Sequence, residues 1–284
     1  MKVAIVANTL KEGTRSLLPD FIELLHHEGI ETKIDADIQG IVCDRFSCCV
    51  EDELFKDVDM IIAFGGDGTI LHTSHRAAGS TAPILGVNLG KVGFLAEICP
   101  GELATVPKRI KNGDYEIMDR MAMDAESSGG ATYYTLNDIV VDRNTNTRIL
   151  DLTVSVDDQF AGEFTADGLI ISTPTGSTAH SMAAGGPLVM PDCQVFVLTP
   201  ICPHSLTIRP MIIEGDRELT LGIAGGNARM AADGQNFVEL QSGSEVRIRK
   251  SRHPVRVARF KERTYFDILH TRLRWGVSLK LHNA

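Results

Sequence analysis

The sequence predicts an α/β N-terminal domain built on a parallel, Rossmann-like sheet, followed by an all-β sandwich. Three observations predict it. Up to about residue 100, apolar runs alternate with helical stripes, the rhythm of βαβ units. After about Met118, short strand-like segments recur at close spacing, several joined by turn pairs such as Asp157-Asp158 and Asp233-Gly234. No repeat or low-complexity linker separates the two textures, so the change of rhythm is itself the boundary. The expected domains are residues 1–115, residues 116–260 and a basic C-terminal tail, 261–284, packing back on the body.

The elements follow in order. Val3–Val6 is a short apolar run and the first strand. Thr14 is a candidate N-cap for a helix with the stripe Leu17, Leu18, Phe21, Ile22, Leu24 and Leu25, and Gly29 suits its C′ position. Ile30–Ile34 reads as a second strand. Asp59–Phe64 is continuously apolar, as a parallel strand covered on both faces requires. Ile70–Ala78 reads as a helix and Ile84–Val87 as the next strand. Pro107 falls within the stripe Leu103, Val106 and Ile110, so that helix is expected to bend or end early. Strands are then expected at Tyr133–Val141, Leu150–Val156, Phe160–Thr165, Gly168–Ser172 and Val195–Thr199. More follow from Met211–Glu214 to Val255–Phe260, with one helical insertion near Ser177–Ala184.

Composition excludes several classes. The 284 residues carry 28 Lys+Arg against 37 Asp+Glu, a formal charge of −9. That balance argues against nucleic acid as a partner. The charge is unevenly spread, with a local excess of basic groups from Arg247 onward. No apolar run approaches the ~18 residues of a membrane span, so no membrane partner is expected. MKVAIVAN reads as a buried strand rather than a signal peptide. The cysteines at 43, 48, 49, 99, 193 and 202 form no C-x-x-C pair, which suits reduced thiols in a cytoplasmic protein.

Three segments carry chemistry. Gly65-Gly66-Asp67-Gly68-Thr69 directly follows a strand and opens a helix. Glycines there let backbone N–H groups approach a phosphate. The carboxylate in their midst would repel one unless it accepts a hydroxyl proton or holds Mg²⁺. The second segment, Asp167 to Pro187 (DGLIISTPTGSTAHSMAAGGP), runs from an apolar strand into a turn crowded with small hydroxyl residues. Hydroxyls and N–H groups bind ribose and phosphate oxygens without a cation. The third is Asn137-Asp138, an amide that can read an adenine edge beside a carboxylate that can accept from ribose hydroxyls. Each also has a bland reading: a solvated turn, a Ser/Thr-rich loop, a common Asn-Asp turn.

Taken in order, GGDGT, GVNLGKVGFLAE (86–97), Asn-Asp, the TPTGSTA…AGGP stretch, TPICPHSL (199–206) and Asp233-Gly-Gln235 closely resemble the NAD kinases. The resemblance runs from about Met1 to Phe260. It implies transfer of the γ-phosphoryl of ATP, or of polyphosphate, to the 2′-hydroxyl of the adenosine ribose of NAD. It implies Mg²⁺ or another divalent cation as cofactor and a homodimer or homotetramer as the assembly. Asp67 matches the family's proton acceptor, and Gly68 lies against the substrate. His72 on the following helix could face the diphosphate. Asn137 and Asp138 match the adenine and ribose contacts, and Thr165 and Asp167, expected on one strand face, match the nicotinamide end. Thr175 and the run Thr178, Ala179, His180, Ser181, Met182 and Ala183 match the segment that wraps the dinucleotide. Arg148 and Gln235 are further candidates. His180 stands where the family commonly has Tyr, which predicts weaker stacking on a flat ring.

Two alternatives stay open at this level: a diacylglycerol-type lipid kinase, which shares GGDG, and a catalytically weak NAD(P) sensor on the same fold. The basic C-terminal strands have two readings as well. They form a solvated or acid-facing surface, or some of their arginines flank the donor phosphates.

Overall fold

The computed structural model describes residues 1–42, 46, 48–90, 93–143 and 148–276. Lys91 of GVNLGKVGFLAE (86–97), the second glycine-rich segment after GGDGT, Cys43 and residues 277–284 of the expected tail lie outside them. The chain forms two compact units, 1–118 with 256–284, and 119–255.

The first unit is a mostly parallel sheet. Its leading strands are β1 (Lys2–Ala7), β2 (Glu31–Asp35), β3 (Cys48–Cys49), β4 (Met60–Gly65) and β5 (Ile84–Asn88). They lie in the order β3-β2-β1-β4-β5 and pair parallel throughout. Every residue of β4 and β5 is buried, which is why these segments are uninterrupted apolar runs. Helix α1 (Thr14–His27) covers one face, with Phe21 against Phe64 at 5.0 Å between ring centres. Its start differs from expectation. Gly13, at φ +90, occupies the cap position, and the Thr14 hydroxyl instead donates to the Asn8 carbonyl at 2.8 Å. Gly29, at φ +73, ends the helix as expected.

Pro107 does not break a helix. The helix Val106–Lys111 begins there, and Pro107 sits in its first turn, where a missing N–H costs nothing. The strand Val255–Arg259 was expected among residues 116–260 of the sandwich. It lies instead in the first sheet, pairing parallel with β5 through Val257–Ile84 and Ala258–Leu85. A strand with Val255, Val257 and Ala258 buried reads the same in either sheet, and only the long-range pairing decides.

The second unit is two antiparallel six-stranded sheets. In one, Asp138–Asp142, Gly168–Ser172 and Val195–Ile201 are central. In the other, Leu150–Val156, Leu219–Gly225 and Glu245–Lys250 are. Alternate residues pack between them: Ile139, Val141, Ile171 and Phe196 against Leu152, Leu221, Val246 and Ile248. The expected strand Tyr133–Val141 is broken into Thr132–Thr135 and Asp138–Asp142, with Leu136 and Asn137 between. The expected helix at 177–184 is a 3₁₀ turn, Gly176–Thr178, then a separate short helix, His180–Ala183. Among the described residues no helix is long and apolar enough to cross a membrane.

Candidate active site

In the first unit, strand order reverses between β1 and β4, so the loops leaving their carboxyl ends diverge and open a crevice. A cleft of about 240 Å³ lies there, lined by Asn8, Thr9, Asp35, Gly68, His72 and Arg76 among others. Helix α2 (Asp67–Arg76) starts in it. Gly68 and His72 are exposed on its first turns, and Arg76 is ion-paired to Asp35.

The Asp67 carboxylate is half-buried and held by a loop. Oδ1 accepts the backbone N–H groups of Leu95 at 3.0 Å and Ala96 at 2.9 Å, and Oδ2 accepts that of Phe94 at 2.8 Å. The second glycine-rich segment makes this clamp possible. Asn88 folds it by accepting from Gly90 N–H at 2.9 Å and donating to the Ala96 carbonyl at 3.2 Å. Gly93 must be glycine because a Cβ there would overlap the Asp67 carboxylate. A carboxylate offers about four lone-pair sites. Among the described residues three are taken, which leaves one acceptor, on Oδ2.

The second unit gathers several candidates around the break at Leu136-Asn137. The Thr173 N–H donates to the Asn137 carbonyl at 2.9 Å, and the Thr173 hydroxyl to the Leu136 carbonyl at 2.6 Å. Gly176 packs so closely on the Asn137 backbone that any side chain there would overlap it. The backbone N–H of His180 faces the Asp138 carboxyl and favours its charged form. Burial, and then the neighbouring Asp233 carboxylate, push that carboxyl up to about 7. Asn137, Asp138, Gly176 and His180 are thus one cluster.

Thr175 is buried, and its hydroxyl has no hydrogen-bond partner among the described residues. A buried hydroxyl left unpaired is costly, and it is common where a ligand completes it. Thr178 donates to the Thr175 carbonyl at 3.2 Å, and Ser181 is committed to the Thr199 hydroxyl at 2.8 Å. Ala179 and Met182 are half-buried, while Ala183 and the His180 ring are exposed.

Four candidates fall elsewhere. Thr165 and Asp167 do not share a strand face: Thr165 is the next-to-last residue of the strand Gln159–Ala166, and Asp167 lies between it and Gly168–Ser172, a strand of the other sheet. The chain changes sheets at Asp167, which a period-2 reading cannot register. Thr165 donates to Asp151 at 2.8 Å, and Asp167 is ion-paired with Arg143 at 2.8 Å. Arg148 is exposed, as is Gln235 at the tip of a hairpin.

Comparison with known proteins decides the family. Residues 3–115 match the model described as ATP-NAD kinase N-terminal domain, and residues 136–260 that described as ATP-NAD kinase C-terminal domain. An NAD kinase of Prosthecochloris aestuarii is 37% identical over 97% of the chain and 98% of its own length. The chain belongs to the NAD kinase family. NAD kinase activity follows, and the lipid-kinase and sensor alternatives fall away. An NAD kinase of Geobacter metallireducens is 39% identical over 97% of the chain and 99% of its own length. Among solved structures, yeast NADH kinase complexed with NADH matches with a TM-score of 0.90 and 25% identity, over 99% of this chain and 89% of that one. An Archaeoglobus fulgidus NAD kinase in complex with ATP matches at 0.75 and 27%, over 96% and 99%.

Sequence reasoning missed the residues that hold the kinase's carboxylate: Asn88, Gly93 and the backbone of Phe94–Ala96. The signal was present as the second glycine-rich segment, which followed the next strand but carried no side-chain chemistry of its own. No group of three His, Cys, Asp or Glu side chains among the described residues could hold a metal ion.

Proposed function

We propose that the chain transfers the γ-phosphoryl of ATP to the 2′-hydroxyl of the adenosine ribose of NAD, giving NADP. One observation carries this reading: among the described residues, Asp67 is clamped by three N–H groups with a single acceptor left on Oδ2. A carboxylate so fixed can take one hydroxyl as donor, orient it and receive its proton as the phosphoryl arrives. The transition state of such a transfer is loose, so positioning does most of the work.

The adenosine of NAD meets the second-unit cluster. The Asn137 amide reads the adenine edge, the Asp138 carboxyl accepts ribose hydroxyls, and the Thr175 hydroxyl completes its bonding on the dinucleotide. The exposed His180 ring lies against a flat ring of the substrate. The donor's phosphates meet the start of α2, with Gly68 and His72. A divalent cation, when bound with the triphosphate, would neutralise phosphate charge, and no residue of the chain is assigned to it. Ser181, whose hydroxyl bonds Thr199, acts through packing. The edge strand Met211–Glu214 leaves Met211 and Ile212 half exposed, as a homodimer or homotetramer would use.

The test is a coupled NADP assay on purified protein, with MgATP or polyphosphate as donor and NAD or NADH as acceptor. NADP formation from MgATP and NAD, at least about a hundredfold slower in Asp67→Asn, is expected. Turnover on polyphosphate alone would refute the donor assignment, and light scattering giving a monomer would refute the assembly.

A further inference from the structure

The hairpin Ala228–Ala232 to Asn236–Leu240 turns at Asp233-Gly234, both at positive φ, +49 and +65. Asp and Gly tolerate that left-handed backbone best, which accounts for the Asp-Gly pair in this three-residue connection. It does not account for the side chain. The Asp233 carboxylate reaches the break between two other strands and gathers its donors. Oδ1 accepts the N–H groups of Asn137 at 2.8 Å and Asp138 at 3.0 Å, together with the Thr135 hydroxyl. Oδ2 accepts the Leu136 N–H at 2.8 Å. The Asp233 N–H donates in turn to the Asp138 carbonyl at 2.9 Å.

Three successive N–H groups aimed at one carboxylate cannot also serve a β-ladder. This is why Tyr133–Val141 is two strands. The break also fixes where the Asn137 and Asp138 side chains leave the backbone. We propose that Asp233 is the positioning residue of the adenosine-binding turn, its carboxylate setting the backbone of Leu136–Asp138 and so the two groups that meet the substrate. The inference rests on the reading of Asn137 and Asp138 given above.

Asp233 also acts through its charge. Its carboxylate helps keep the proton on Asp138, whose carboxyl is pushed up to about 7, chiefly by burial. Among the described groups facing this pair are the backbone N–H of His180, which lowers the Asp138 value, and the Tyr134 phenol, which burial, then Asp124 and Asp233, push upward. Ribose hydroxyls donate to the ionised Asp138. Binding of NAD therefore strengthens as pH rises through about 7.

Asp233→Asn is the informative variant, because Asn tolerates the left-handed backbone that Ala would strain. Its amide nitrogen must face either the Leu136 N–H or the Asn137 and Asp138 N–H groups, and it removes the charge. We expect KM for NAD to rise about tenfold, equivalent to one lost charge-assisted bond, with KM for ATP unchanged. The acid limb of kcat/KM for NAD should move to lower pH, measured in a His180→Gln background so that the imidazole does not contribute. An unchanged KM for NAD, a parallel rise in both KM values or an unmoved acid limb would overturn the proposal. Asn137→Ala separates it from the reading beneath it. If that variant leaves KM for NAD unchanged, the adenosine assignment itself fails. If it raises KM while Asp233→Asn does not, only the positioning role fails.

Discussion

Replacing Asp67 by Asn tests the clamp and the chemistry together, and the structure predicts how the two losses divide. The amide has one acceptor oxygen. Placed at Oδ1 it keeps the bonds from Leu95 and Ala96, and its nitrogen then confronts the Phe94 N–H. One donor is left without a partner and faces another donor, which costs about 1–3 kcal/mol for a buried group. Asp67 is half-buried, so the lower half of that range applies. The acceptor left free on Oδ2 becomes a donor and can no longer take a proton. General-base contributions are typically about 10²–10⁴ in rate. Asp67→Asn should therefore melt only a few degrees below the parent but form NADP at least about a hundredfold more slowly at saturating NAD and MgATP. NAD affinity, measured by titration, should change by less than about threefold, or about 0.7 kcal/mol. The assay is NADP formation coupled to an NADP-dependent dehydrogenase, beside a thermal melt. A folded variant that turns over within threefold of the parent would refute the role of Oδ2.

Three further outcomes follow from the same geometry. Gly176→Ala pushes a methyl into the Asn137 backbone, an overpacking that costs about 1–3 kcal/mol and should raise KM for NAD; unaltered melting and KM would show that the contact yields freely. His180→Tyr enlarges the exposed ring and should lower KM for NAD, so equal constants in the two proteins would refute a stacking role. Asp138→Asn should stabilise the fold more at pH 8 than at pH 4: between its ordinary value of 3.8 and about 7 the unfolded chain has lost the proton that the folded one keeps. The parent therefore loses stability, on the order of a few kcal/mol, as pH rises through that window, and a melting difference independent of pH would refute the buried, protonated carboxyl.

The sequence made the α/β-then-β order legible because periodicity is local. β4 and β5 read as buried parallel strands from their apolar runs alone, and GGDGT marked the carboxyl end of β4 without help from the rest of the chain. What stayed hidden depends on groups far apart in sequence. The three donors on Asp67 come from residues 27 to 29 positions away. Those on Asp233 come from 95 to 97 positions away. They are backbone N–H groups, which every residue except proline has, so no residue type announces them. The strand Val255–Arg259 was assigned to the wrong sheet for a related reason: its pattern specifies a strand, and its partner is specified only by the fold.

The basic C-terminal stretch makes the same point from the side of charge. Its alternation, Val246-Arg-Ile-Arg249, predicts a strand with one cationic face, and the strand is there. What the alternation cannot show is the neighbouring strand. Arg247 stands opposite Glu126 and Arg249 opposite Asp124 across the ladder, so acidic residues more than a hundred positions earlier meet each of these arginines. Further along, Arg256 donates to the Thr81 carbonyl, Arg263 pairs with Glu102 at 3.0 Å, and Thr264 and Asp267 cap the last helix, Tyr265–Leu273. Each of these contacts lies within a single unit: the Arg247 and Arg249 pairings in 119–255, and those of Arg256 and Arg263 in 1–118 with 256–284. They favour the acid-facing reading of the charge over the phosphate-binding one. Deleting the chain after Phe260 should accordingly lower the melting temperature. KM for ATP should hold in whatever remains folded, and a rise confined to that constant would restore the arginines to the donor site.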